Sequence, residues 1–262
     1  MEPIGEIIVR NIALYWPSVV AVTMIALVHL LTPRFRFMHT PNSPWLPMSA
    51  GVALAYVFMD IFPHLAKVQK RLVDIELNSL YGFLANNVYL MALIGFCIYL
   101  GASLLSIAYR QGQTMPELTC RLSPVIVKID MISLALYNFL VGYLLAEQLT
   151  HRPEPVIIFA TAMAIHFTGV DSLIRELFQS LYDRTARFLF IIGIYAGWLT
   201  GVVVEISDAT LSIVYAFLAG GIIVVATVHE LPGIRSIKQY VSFLCGAAVF
   251  SALLLTLGLA QQ

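Results

Sequence analysis

The sequence predicts an all-α, polytopic membrane protein of eight transmembrane helices, and three observations carry that prediction. Hydrophobic residues make up 60% of the chain and charged residues 11%, against roughly half and about a quarter in soluble domains. Mean hydropathy is +0.86, more apolar surface than a soluble globule can cover. The apolar residues also fall into runs of about 20, the length of helix that crosses about 30 Å of hydrocarbon while satisfying its own backbone hydrogen bonds. A disordered chain, a disulfide-stapled secreted scaffold and a basic nucleic-acid binder are all excluded. Lys+Arg and Asp+Glu balance at 15 each, and Cys97, Cys120 and Cys245 form no C-x-x-C pair, so they read as packing residues.

Each span follows from its punctuation. The first, about 12–31, comes after Glu2, Pro3 and Glu6 rather than a basic leader, so it is expected to stay in the mature protein. Pro33, Pro41, Pro44 and Pro47 mark the connection to the second, about 46–66. The third runs about 82–109 and the fourth about 124–148; Arg152-Pro153-Glu154-Pro155 then leads into the fifth, about 156–178. The sixth and seventh, about 186–205 and 209–230, are followed by Pro232-Gly233 and by the eighth, about 240–260. The connections are short, which gives one transmembrane domain over 1–262 and no soluble domain.

Basic residues set the expected orientation, because cytoplasmic loops carry the Lys/Arg excess. Arg34, Arg36, Arg110, Arg121, Arg184, Arg187, Arg235 and Lys238 flank the odd loops. Arg10, Lys67, Lys70, Arg71 and Arg152 lie with the termini and the even loops. The balance places both termini outside the cytoplasm, and a prokaryotic plasma membrane is the expected host.

A charge at bilayer depth costs about 2.5–3.5 kcal/mol even on the mildest scale, so each one calls for a partner, a wet cavity or a function. Helices four and five hold most of them: Lys128, Asp130 and Asn138 on the fourth, His166, Asp171 and Arg175 on the fifth. Running in opposite directions, the two helices put Asn138 and His166 each about 15 Å from their outer ends, at 1.5 Å rise per residue. Two readings stay open. Asn138 and His166 meet near the midplane as ligands, or each serves as interhelical glue. Asp171 lies about 140° around the helix from His166, at 100° per residue; it joins the same site, or it pairs with Arg175 one turn on.

A further pattern links two other helices. The second ends Asp60-Ile61-Phe62-Pro63-His64, and the seventh ends His229-Glu230-Leu231-Pro232-Gly233. Acidic or His residues shortly before a proline, on helices that point opposite ways, fit an inverted repeat of the kind that builds secondary transporters.

On these residues the chain resembles the ZIP family of divalent-metal transporters. The resemblance covers most of the chain as topology and few residues as motif. It implies eight helices in a 3+2+3 inverted-repeat bundle with a metal site between helices four and five. The family's H-N-x-x-D-G is matched by Tyr137-Asn138-Phe139-Leu140-Val141-Gly142, which keeps Asn138 and Gly142; its H-E-x-P-H-E is matched by His166-Phe167-Thr168-Gly169-Val170-Asp171, which keeps the first His and a final acid. Tyr137, Val141, Phe167 and Val170 stand where metal-binding groups would, so a binuclear site is not expected.

The resemblance implies a secondary transporter moving zinc, iron or manganese toward the cytoplasm, with the metal as substrate and no fixed cofactor. Asn138, His166 and Asp171 become the implied ligands, and Asp60, His64, Tyr137, Glu147, His229 and Glu230 the pathway and gate groups. The alternative is a metal-free relative that keeps the scaffold for a regulatory or interaction role. A zinc peptidase is not expected, because His229-Glu230 lacks the second His of H-E-x-x-H. Expected partners are the lipid bilayer, the metal ion and, through Gly193, Gly197, Gly201, Gly220 and Gly221, a second copy of the chain; nucleic acid is not expected.

Overall fold

Residues 4–35, 43–72, 80–110, 116–151, 156–230 and 236–257 are described by the computed structural model of the chain, with side chains described for 15–35, 43–70, 81–105, 125, 127–147, 156–228 and 236–257. Among the described residues regular structure is helical throughout, with no strand. Helix α1 spans Ile4–Leu31 and closes in a 3-10 turn at Thr32–Arg34. Helix α2 runs Trp45–Tyr56, passes through a π-helical turn at Val57–Ile61 and continues as Phe62–Leu72. A short helix, Leu80–Asn86, precedes α3 at Val88–Arg110. Then come α4 at Pro116–His151, α5 at Val156–Leu177 and α6 at Arg187–Val203, the last entered through Gln179–Leu181 and a π-turn at Tyr182–Ala186. Helix α7 is Asp208–Val224, extended by a π-turn at Val225–Glu230, and α8 is Ile237–Thr256.

Eight spans of these helices are long and apolar enough to cross a membrane, as the sequence predicts, and two boundaries differ from the expectation for physical reasons. Helix α2 does not stop near Pro63 but runs on to Leu72. A proline ring crowds the carbonyl of residue i−4 and removes one donor; the wider π-turn immediately before Pro63 accommodates both. The third span breaks at Asn87, whose Nδ2 donates to Phe83 O at 2.7 Å while its carbonyl accepts from Leu90 N at 2.9 Å. One asparagine thus closes the short helix and opens α3. Helices α7 and α8 begin at ordinary serine caps: Ser207 accepts from Thr210 N and Ser236 from Gln239 N, each at 3.3 Å.

Burial sorts the helices into an inner and an outer set. Within its most apolar stretch α5 is 78% buried, followed by α7, α2 and α4, whereas α3, α6 and α8 are each below a third. The outer helices turn Ile192, Val203 and Val249 outward, as a lipid-facing surface requires. The inner helices close on Tyr137, Phe159, Phe167 and Tyr215.

Three helix pairs meet backbone to backbone, and glycine makes each approach possible. Gly51 of α2 lies against the main chain of α8 at Phe243 and Ala247, and Gly246 of α8 against that of α2 at Met48. Gly220 of α7 lies against α3 at Ala92 and Phe96, and Gly95 of α3 against α7 at Phe217. Between α4 and α6 the contact is longest, with Gly193, Gly197 and Gly201 on Ala135, Phe139 and Tyr143, and Gly142 on Ile194 and Trp198. A side chain at these positions would collide with a neighbouring main chain that cannot step aside. The glycines expected to receive a second copy of the chain are therefore used within it; Gly221 lies likewise against Tyr99 and Tyr137.

Candidate functional site

A buried polar cluster joining three helices is built around a residue absent from the expected ligand set. His29, fully buried near the end of α1, places Nδ1 2.7 Å from Asp171 Oδ2 and Nε2 2.7 Å from Asn138 Oδ1. One imidazole thus ties α1 to α5 and to α4. The Asn138 amide donates from Nδ2 to Leu134 O at 2.9 Å, which turns Oδ1 toward His29 as an acceptor. Nε2 thus faces that oxygen, while Nδ1 faces the Asp171 carboxylate. Phe167 and Phe190 wall the ring at centroid distances of 5.0 and 5.6 Å. Tyr182, from the π-turn before α6, donates to the His29 carbonyl at 3.1 Å.

Burial of this kind is costly unless the polar groups answer one another. His29 and Asp171 are fully buried and Asn138 nearly so. The contact is satisfied on Oδ2, while Asp171 Oδ1 accepts no hydrogen bond among the described residues. The Tyr182 hydroxyl donates to the main chain of His29 and also lies within hydrogen-bonding reach of the Asp171 carboxylate.

The expected ligands separate into two positions. Asn138 and Asp171 are brought to one imidazole, on its two opposite nitrogens. His166, fully buried, borders the cluster with its ring 6.1 Å from Tyr137 and 5.9 Å from Phe167. The Asp171–Arg175 pair left open by the spacing is not the arrangement adopted. Asp171 faces α1, while Arg175 reaches forward to Asp183, with Nε 2.9 Å from Oδ1 and Nη2 3.4 Å from Oδ2. Among the described residues no three His, Cys, Asp or Glu side chains converge as a metal shell.

The expected pathway groups are spread along the bundle. Asp60 is buried within the π-turn of α2, and His64, one turn on, sets its ring 5.9 Å from Tyr215 of α7. Tyr137 packs edge-on to Tyr99 and Phe167. Glu147 is buried at the far end of α4, where Tyr143 donates to it at 3.1 Å and to Val204 O at 3.0 Å. The backbone of His229 and Glu230 forms the π-turn ending α7, but their side chains lie outside the described residues. Trp45 at the start of α2 donates from Nε1 to Thr168 at 2.6 Å, which pins α2 to the polar side of α5.

His29 had a signal in the sequence: a histidine inside the apolar run Leu27-Val28-His29-Leu30-Leu31 is an ionisable group at membrane depth. No protein-family model matches the chain, and no curated protein matches it significantly.

Proposed function

We propose that this chain is a secondary transporter of divalent metal cations, zinc, iron or manganese, built on a ZIP-like 3+2+3 inverted repeat and working toward the cytoplasm. The observation that carries the reading is the imidazole–carboxylate–amide cluster joining α1, α4 and α5 inside an apolar eight-helix bundle. An ionisable group at such depth is by default a candidate functional group.

The repeat is supported by reciprocal packing. The Gly51/Gly246 contact of α2 with α8 has its counterpart in the Gly220/Gly95 contact of α7 with α3. Met48 precedes Gly51 as Phe217 precedes Gly220, and Ala92-Gly95-Phe96 repeats the spacing of Phe243-Gly246-Ala247. The series Gly51, Asp60, Pro63 recurs in spacing as Gly220, His229, Pro232, and both helices change to π-helix just before the proline. Such symmetry is what alternating access by rocking bundles requires. Both termini outside the cytoplasm, in a prokaryotic plasma membrane, is the accompanying orientation, supported by the Lys/Arg distribution.

One observation favours the second reading, a metal-free relative with a regulatory or interaction role: both His29 nitrogens are already engaged, and no three-ligand shell forms among the described residues. Uptake of zinc, manganese and ferrous iron into proteoliposomes decides between them. The transporter takes up at least one of these metals, and Asp171→Asn, which keeps side-chain size, lowers the rate about tenfold or more. A native protein that carries none of the three overturns the transport reading.

A further inference from the structure

We infer that the outer groove between α1 and α6 binds an anionic phospholipid, with Arg187 and Arg34 holding its phosphate and the apolar faces of the two helices carrying its acyl chains. The inference goes beyond transport and holds whether or not the chain carries a metal.

The groove follows from how the two helices meet. Trp198 Nε1 donates to Ser18 Oγ at 2.9 Å and the Tyr195 hydroxyl to Thr23 Oγ1 at 3.2 Å, so later residues of α1 lie beside earlier residues of α6 and the pair is antiparallel. Equal steps along both helices from Thr23 and Tyr195 bring Leu30 level with Phe188 and Leu31 level with Arg187. The turn that closes α1, Thr32–Arg34, then comes level with the π-turn that opens α6. Trp16, Val20 and Leu27 are exposed on α1, at intervals of four and seven residues that keep them on one helical stripe. Arg34, also exposed, ends that stripe seven residues further on. Leu30 joins it, and Phe188 and Ile192 are exposed on the α6 side.

Positive charge is concentrated at one end of this groove. Arg187 Nε is buried with no hydrogen-bond acceptor among the described residues, and the guanidinium carbon lies 4.7 Å over the centre of the Phe188 ring. A cation–π contact sets the plane of the guanidinium and leaves its N–H donors unused. Arg184 is at the same end, but it borders one depression together with Glu176 and Asp183, and Asp183 is held by Arg175 at 2.9 Å. The charge open to an anion is therefore that of Arg187 and Arg34. A phosphate offers the paired acceptor oxygens that an arginine fork takes in bidentate fashion. A change of rotamer along the Arg187 stem turns the Nε edge of the fork outward to two of them. Cations at the end of an apolar groove suit a molecule with a charged head and hydrocarbon tails, as basic sites beside transmembrane helices suit anionic lipid headgroups.

The test is native mass spectrometry of the full-length protein released from nanodiscs of equal phosphatidylglycerol and phosphatidylcholine, together with Tm after adding either lipid to delipidated protein. The native protein should retain phosphatidylglycerol in preference to phosphatidylcholine and gain a saturable rise in Tm from it. Arg187→Gln should weaken that preference about fivefold or more, the scale of one cation near a membrane surface. Arg34→Gln, at an exposed position, should weaken it in the same direction, and it carries the test alone if Arg187→Gln does not elute monodisperse. Lys238→Gln, which removes an exposed charge at the start of α8, should leave the preference within about twofold, because a charge more than a Debye length away is screened. Equal losses in the arginine variants and in Lys238→Gln would reduce the effect to a general attraction of anionic lipid and overturn the site. An unchanged preference in the arginine variants overturns it directly. So does inorganic phosphate that raises Tm as much as phosphatidylglycerol, since the apolar groove would then contribute nothing.

Discussion

Helix α6 meets α4, and helix α1 meets α5, by two different devices. On the α4–α6 side, Gly193, Gly197 and Gly201 recur every four residues and lay one backbone directly on another at Ala135, Phe139 and Tyr143. On the α1 side the joint to α5 is a side-chain hydrogen bond, His29 to Asp171, and the same imidazole also meets Asn138 of α4. In the proposed repeat these two interfaces are counterparts. A backbone seam has one fit, because its contacts are spread over many atoms and vanish together when the helices part. A joint of a few directional bonds can be broken and remade with different partners, including water or an ion.

The comparison is broken most severely in the glycine seam. Gly197→Leu places a branched side chain against Phe139 O, where the opposing atoms are backbone. We expect loss of about 3 kcal/mol or more, read as a failure to purify monodisperse or a large drop in Tm. The same substitution at Gly101, where an added Cβ meets nothing within 4 Å, should cost little. Equal losses at both positions would show that helix propensity, not the seam, sets the penalty.

The polar joint gives the next largest effect, and its sign pattern differs. His29→Leu alone leaves the buried Asp171 carboxylate without its partner and should cost about 3 kcal/mol, as removing one half of a buried pair commonly does. Asp171→Leu alone leaves a buried imidazole and should cost a similar amount. The double variant His29→Leu/Asp171→Leu should recover a large part of the loss, because two matched apolar groups need no partner. A double-mutant cycle on thermal or denaturant unfolding measures this coupling. Simple additivity of the two losses would mean the pair is not energetically joined.

How far these two interfaces were legible in the sequence follows from their physics. The bilayer imposes its length on every span, so eight runs of apolar residues could be counted without knowing which helix touches which. The glycines were equally visible, but Gly193, Gly197 and Gly201 offer a smooth face to any helix, and only the folded packing assigns it to α4 rather than to a second copy. Asn138 and Asp171 stood out because the cost of burying them is a local property. His29 carried the same local signal, but its pairing did not show, since the residues it meets lie more than one hundred positions away in sequence. The π-turns before Pro63 and at Tyr182–Ala186 left no signal in the periodicity, because each amounts to one extra residue, and a run that is apolar on every face does not register the resulting change of phase.

The smallest expected effect lies outside the core and sharpens the contrast by its weakness. Spacing alone offered Arg175 to Asp171, one turn away on the same helix; the folded chain gives it to Asp183 in a partly exposed pair. Solvent reaches both side chains, at 21% and 32% exposure, so the coupling should be no more than about 1 kcal/mol and should fade with added salt. Exchanging the charges as Arg175→Asp/Asp183→Arg should restore most of what either single variant loses. If instead Arg175→Ala weakened the His29–Asp171 joint, seen as a change in the coupling energy of that cycle, the arginine would be acting on the buried carboxylate after all. The difference between a coupling near zero at the surface and one of several kcal/mol in the core is what distinguishes a charge the solvent manages from one the fold must answer itself.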